Sequence, residues 1–101
     1  MQLEKLNGKV LEQFFEAILL LENKEECYKF FDDLCTTNEV HLVAQRLEVA
    51  RLLEEGYTYQ KIEAITGAST ATISRVKRSV SNGNHSYDFI LNRLNKEEVK
   101  N

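Results

Sequence analysis

Proline is absent from this chain, and glycine occurs only four times in 101 residues. Because both residues interrupt helices, their scarcity favours a helical protein, as do the many leucine, glutamate, lysine and alanine residues. The longest apolar run, residues 14–21, is broken by Glu16 and is followed by no cleavage-site pattern. We therefore expect neither a membrane span nor a signal peptide, and we expect a cytoplasmic protein.

Cysteine and histidine are also scarce. Cys27 and Cys35 lie eight residues apart, without the paired spacing of a zinc site, so buried or half-buried reduced thiols are expected and no metal site. His41 and His85 lie near neither cysteine in sequence, and no flanking motif supports a catalytic Cys–His pair, although that alternative stays open. Paired catalytic carboxylates and a phosphate-binding loop are missing as well. We therefore predict that the protein is not an enzyme.

Only one segment of the chain has a net positive charge, although the net charge of the whole chain is −3. Residues 1–56 contain twelve acidic and six basic side chains, whereas residues 57–83 contain one acidic and four basic side chains. Residues 84–101 contain three of each. The net acidity of the chain therefore does not argue against binding of residues 57–83 to a polyanion.

Apolar residues recur at helical spacing through the first 21 residues and cover most of the helix circumference. A 101-residue chain offers little to cover such a helix on more than one side. We therefore expect a second copy of the chain to cover it in a homodimer. The alternative is an ordinary central core helix.

Capping patterns divide the rest of the chain into helices. The motif from Thr36 to Glu39 is a capping box, and Asn23 with Glu26 resembles one. Gly56 is expected to end the helix that follows Thr36. Residues 81–84 are of types that favour a turn. We predict an all-α fold of about six helices in one domain, residues 1–101. Its predicted parts are dimerisation helices in 1–57, a helix-turn-helix in 58–80 and a C-terminal helix in 84–101, centred on 87–99.

The segment from Tyr59 to Val80 predicts the function. Two short helices would be capped by Thr58 and Ser69 and joined at Gly67, where a tight turn requires a positive φ. The second would begin with short polar residues that let a backbone approach base edges, and it would continue with basic ones. The apolar residues expected between the two helices are Ile62, Ile65, Ile73 and Val76. This is the layout of a helix-turn-helix that reads the DNA major groove; the alternative is a plain helical hairpin with a basic face.

Residues 34–80, from LCTTNEVHLVAQRLEVARLL to ASTATISRVKRSV, resemble the Trp repressor superfamily, and especially its Trp-repressor-related proteins of uncertain role. The resemblance implies an interleaved all-helical homodimer, a transcriptional regulator that binds palindromic operators in double-stranded DNA. It would be associated with the nucleoid. From motif and resemblance together, the predicted DNA-binding residues are Tyr59, Gln60, Glu63, Ser69, Thr70, Ala71, Ser74, Arg75, Lys77 and Arg78. Glu63 lies where the family has a lysine, so the bound sequence should differ from the Trp operator.

The resemblance also implies a position for an amino-acid corepressor, L-tryptophan or another small molecule. Arg46 and Arg75 match the two arginines that flank the indole ring, and Thr36, Thr72 and Ser79 match polar neighbours of the ligand. Val76 lies where the family repressor has a glycine against the ring. A valine side chain there takes up part of the ligand's space, so we expect no cofactor to be needed and tryptophan binding to be weak.

A second function class stays open from sequence alone. The net acidity, Glu63 and the aromatic residues Tyr57 and Tyr59 are compatible with a protein–protein adaptor that retains the fold without binding DNA. The two hypotheses differ in the partner that the purified protein should select.

Overall fold

The computed structural model of the protein describes residues 2–6 and 8–100, with residues 98–100 described by their backbone alone. Within these residues every regular element is helical, so the predicted all-α fold of about six helices is confirmed. A short 3₁₀ helix, Leu3–Lys5, is followed by α1 (Gly8–Leu19), α2 (Lys24–Leu34), α3 (Thr37–Glu54), α4 (Tyr59–Thr66), α5 (Thr70–Asn82) and α6 (Ser86–Lys100).

The chain divides into two compact units, Met1–Val40 and His41–Asn101. The first contains α1 and α2, and neither helix has a buried residue among those described. Cys27 is exposed and Cys35 half-buried, and both are free thiols. The expectation that both cysteines are at least half-buried is therefore wrong for Cys27 within one chain.

The apolar spacing of the first 21 residues does not correspond to one continuous helix. Leu3–Lys5 forms a separate 3₁₀ helix that ends at Leu6, whose backbone is extended (φ −81°, ψ −177°). α1 begins only at Gly8. Hydrophobic periodicity reports which residues share a face and does not detect an extended residue such as Leu6 after a short helical segment.

Local hydrogen bonds fix the starts of α2 and α3 as the capping patterns predict. The Asn23 side chain accepts from the backbone N–H of Glu26 (2.9 Å). Thr36 Oγ1 accepts from the N–H of Glu39 (3.1 Å), while the Glu39 carboxylate accepts from the N–H of Thr36 (2.8 Å). This last bond, and the Thr36 side chain, lower the pKa of Glu39 below its usual value. The reciprocal pair is the capping box read from the sequence.

The second unit contains the buried apolar core. α3 contributes Val49, Ala50 and Leu52, and Gly56 follows the helix with a left-handed backbone (φ 89°) that its lack of a Cβ permits. α5 contacts both α4 and α6. The remaining buried core residues lie in α4, in the α4–α5 turn, in α5 and in α6, and they are Ile62, Ala68, Ile73, Val76 and Leu91.

The junction between α5 and α6 differs from the predicted turn over 81–84. α5 continues through Asn82, and Gly83 then donates its N–H to the carbonyl of Ser79 (2.9 Å). A Cβ at Gly83 would lie 2.4 Å from that carbonyl oxygen, so glycine is required by a close approach. Ser81 and Asn82 are therefore helical, because the hydrogen bond from Gly83 to Ser79 completes the last turn of α5 around them.

Candidate nucleic-acid interface

α4 and α5 form a helix-turn-helix whose ends are fixed by side-chain caps. Thr58 Oγ1 accepts from the N–H of Lys61 (3.2 Å) at the start of α4, and Ser69 Oγ accepts from the N–H of Thr72 (3.1 Å) at the start of α5. Between the helices, Gly67 has φ 74° and ψ 4°, the left-handed conformation predicted for the turn. A Cβ would meet nothing within 4 Å there, so the need for glycine comes from its backbone angles alone.

Apolar contacts hold the two helices in place. Ile62 and Ile73 are fully buried and Val76 is 1% exposed, so three of the four predicted inward residues lie in the core. Ile65 is 51% exposed, and its predicted inward position is wrong. Thr66, four residues after Ile62, is half-buried on that side of α4 instead and ends the helix.

Thr66 connects the turn to α4 and to α3 by hydrogen bonds. Its hydroxyl donates to the carbonyl of Ile62 (2.7 Å) and accepts from the N–H of Ala68 (3.1 Å). The Gln45 side chain on α3 donates from Nε2 to the Thr66 carbonyl (3.1 Å). Sequence reasoning missed both residues, because a bond between residues 21 positions apart leaves no local pattern. These bonds restrain the angle at which α5 leaves the turn.

One face of α5 is turned away from the core. Residues 71, 74, 75 and 78 share that face by helical spacing, opposite Ile73 and Val76. Apart from the half-buried Ser74, the side chains on it are exposed. The face therefore has short side chains near the start of the helix and guanidinium groups toward its end. The predicted DNA-binding residues that are exposed are Gln60, Ser69, Thr70, Ala71, Arg75, Lys77 and Arg78, and those that are half-buried are Tyr59, Glu63 and Ser74.

Hydroxyl groups at the start of α5 are already bonded to one another and to α4. Ser69 Oγ donates to Thr72 Oγ1 (3.1 Å), and Thr70 Oγ1 donates to a carboxylate oxygen of Glu63. The helix-turn-helix thus brings Glu63 to the first residue of α5. A helix N-terminus favours a nearby negative charge, which explains how the carboxylate is held there.

Comparison with known proteins agrees with this geometry. The family model described as Trp repressor protein matches residues 9–95. This chain belongs to the Trp repressor family. It is 60% identical over 100 residues to the uncharacterized protein YerC of Bacillus subtilis strain 168, a match that spans 99% of this chain and 96% of YerC.

Two crystal structures from the Trp repressor family are close in fold. A candidate Trp repressor from Staphylococcus aureus is 61% identical, with a TM-score of 0.91 over 94% of this chain and 95% of its own. A TrpR-like protein from Eubacterium eligens ATCC 27750 is 51% identical, with a TM-score of 0.88 over 91% of this chain and 95% of its own. Family membership thus extends over nearly the whole chain and its fold.

The residues matched to the Trp repressor ligand site differ in how deeply they are buried. Val76 is 1% exposed and belongs to the core cluster, so its side chain packs inside the second unit. Thr36, in the first unit, accepts the capping N–H of Glu39. Arg46 and Thr72 are half-buried, and Arg75 and Ser79 are exposed. Only Val76 is part of the packed interior.

The described residues contain neither a metal-binding cluster nor a membrane-spanning helix. No group of three or more His, Cys, Asp or Glu side chains there is arranged to hold a metal ion. No helix in the described part of the chain is long and apolar enough to cross a bilayer.

Proposed function

We propose that this protein is a sequence-specific DNA-binding transcriptional regulator that acts as a homodimer at palindromic operators, in the cytoplasm and at the nucleoid. The observation that carries the proposal is the outward face of α5. It joins short side chains at a capped N-terminus to the exposed guanidinium groups of Arg75 and Arg78. Short residues let the helix enter the major groove, and arginines bind phosphates or guanine edges.

The packing and hydrogen bonds that hold α5 in place support the same function. Direct readout requires side chains that are held in place before the DNA arrives, because each disordered group would have to be ordered on binding. Ile62, Ile73 and Val76 fix α5 by packing, and Thr66 with Gln45 fixes the turn by hydrogen bonds. A segment of net positive charge is thus presented on a preformed support.

Exposed apolar side chains support the homodimer. In α1 and the residue after it, Val10 is 63% exposed, Phe15 44%, Leu19 83% and Leu20 77%. Large apolar side chains exposed together along one helix indicate that a partner covers it. Because the Trp repressor family fold, as the resemblance implies, interleaves its amino-terminal helices between two copies, we assign a second copy of this chain as the cover.

The proposed regulator does not require tryptophan. The Val76 side chain is packed in the core at the position where the resemblance places a glycine against the ligand ring. Entry of a flat ligand there would force the side chain out of a close-packed site, and such overpacking costs about 1–3 kcal/mol. DNA binding should therefore be the same with and without the amino acid.

Selection from a random DNA pool tests the function. The purified chain should enrich two inverted half-sites with centres one helical turn apart, about 34 Å, both with and without L-tryptophan. Fluorescence anisotropy on the enriched duplex should then show an affinity that falls steeply with salt, because bound phosphates release counterions. Failure to enrich any sequence, together with no binding at low salt, would overturn the proposal. Recovery of a stoichiometric protein partner without DNA would favour the adaptor.

The dimer has its own test. Phe15→Glu places a charge on the exposed apolar surface of α1 and should shift the molar mass in light scattering toward that of one chain, 11.7 kDa. Glu16→Gln, at the neighbouring exposed position, is the matched control and should leave the mass of two chains unchanged. A wild-type protein with the mass of one chain at micromolar concentration would contradict the homodimer.

A further inference from the structure

The hydrogen bond between Glu63 and Thr70 determines which groups the start of α5 can offer to DNA. Thr70 is the first residue of the helix and is exposed, while Glu63 is half-buried on α4. The Thr70 hydroxyl donates its proton to one carboxylate oxygen of Glu63. A hydroxyl has a single proton, so this bond uses the only donor that the Thr70 side chain has.

What remains available to a ligand is a pair of acceptors. The second carboxylate oxygen of Glu63 has free lone pairs, and so does Thr70 Oγ1, whose single proton is already donated to Glu63. Next to them, Ser69 Oγ donates to Thr72 Oγ1 and accepts the capping N–H of Thr72, so the proton of Ser69 is also used. The Glu63–Thr70 pair therefore accepts hydrogen bonds and repels other acceptors.

Only some bases present a donor in the major groove. Cytosine presents its N4 amino group, adenine presents N6 beside the acceptor N7, guanine presents two acceptors, and thymine presents an acceptor and a methyl group. A carboxylate set beside a second acceptor is matched by cytosine, whose polar group at this edge is a donor alone. Adenine would bring N7 against one of the two acceptors.

We propose that Glu63 and Thr70 act as one unit that selects cytosine at one position of each half-site. Glu63 supplies the acceptor, and Thr70 is the positioning residue that holds the carboxylate at the start of α5. The inference rests on the proposed function and specifies it further. It also gives a physical reason for an acidic residue in a DNA-binding segment whose other charged residues are basic.

A double-mutant cycle that combines a substitution in the protein with a base replacement in the DNA tests the assignment. Each cytosine of the enriched half-site is replaced in turn by 2-pyrimidinone, which lacks the N4 amino group, and binding is measured by anisotropy. At one cytosine per half-site the replacement should weaken wild-type binding about tenfold. Glu63→Ala should lose that penalty at the same position and keep the penalties elsewhere.

Further variants separate base readout from a structural role. Thr70→Val should reduce the cytosine penalty and Thr70→Ser should restore it, because serine retains the hydroxyl. Glu25→Gln removes an equal charge from the exposed ion pair with Lys29 and should change neither the penalty nor its position. Thermal midpoints of all variants show whether the fold is intact. A penalty that is unchanged in Glu63→Ala, with the fold intact, would mean that the carboxylate does not contact the base.

The outcomes distinguish the inference from the function on which it rests. An enriched palindrome in which loss of the amino group is tolerated within twofold at every cytosine overturns the inference alone. Absence of any enriched sequence overturns the proposed function and the inference together.

Discussion

Val76→Ala should destabilise the protein by about 2–3 kcal/mol. The Val76 side chain is 1% exposed and lies in the same core cluster as Ile73 and Leu91. Removing two carbon groups loses about 0.8 kcal/mol for each. A residual cavity of roughly 30–40 Å³ adds about 1 kcal/mol at ~24 cal/mol per Å³. The total is a large share of a typical stability of about 5–15 kcal/mol.

Urea denaturation followed by circular dichroism measures this loss at one fixed protein concentration, because association of chains contributes to the apparent stability. Val80→Ala is the matched control, since it makes the same chemical change in the same helix at a half-buried position. The control should lose less than half as much stability. Equal losses, or a loss below about 0.5 kcal/mol at Val76, would refute its placement in the core.

The wild-type protein itself tests the ligand argument. Millimolar L-tryptophan should leave the thermal midpoint of the wild-type protein unchanged, since the Val76 side chain occupies the position where the resemblance places a glycine. A rise in the wild-type midpoint would show that a ligand binds the folded state despite the valine.

Three further predictions concern charge and capping. Lys77→Ala should weaken DNA binding on all sequences and make the negative slope of log affinity against log salt less steep by about 0.9. Lys24→Ala, the control, should leave both unchanged. An unchanged slope in Lys77→Ala would place Lys77 away from the phosphates. Ser69→Ala removes the cap of α5 and should cost about 1 kcal/mol in urea denaturation, most of it regained in Ser69→Asp. No loss would mean that the cap is not stabilising. Slight desolvation of the exposed Glu54 carboxyl, with the hydrogen bond and charge of Asp88 as smaller causes, raises its pKa, so the stability that its neutral form contributes is lost as pH rises through that pKa. Glu54→Gln should raise the thermal midpoint at pH 7 and not at pH 3, and an equal rise at both would contradict this.

The starts of α3, α4 and α5 and the turn at Gly67 were predictable because their determinants are local. Thr36 with Glu39, Thr58 and Ser69 each accept a backbone N–H three residues away or fewer, and Gly67 adopts the positive φ expected of it. Such patterns lie within a few letters of sequence. Fold class and the position of the helix-turn-helix follow from them.

Contacts between distant residues were not predictable from the sequence. Ile65 has the spacing of an inward residue, but α4 ends one residue later and Thr66 takes the inner side. The bonds from Gln45 to Thr66 and from Thr70 to Glu63 join residues 21 and 7 positions apart across a turn. Only the packed arrangement shows that Glu63 reaches the start of α5.

Methylation interference on the enriched duplex is the most direct test of the claim that α5 of each of two copies reads a major groove. Methylation of guanine N7 marks that groove and should block binding at two separate clusters on one face of the duplex, with centres about 34 Å apart. The clusters should be related by the symmetry of the palindrome. A single cluster, or binding that is insensitive to N7 methylation in both half-sites, would contradict the account.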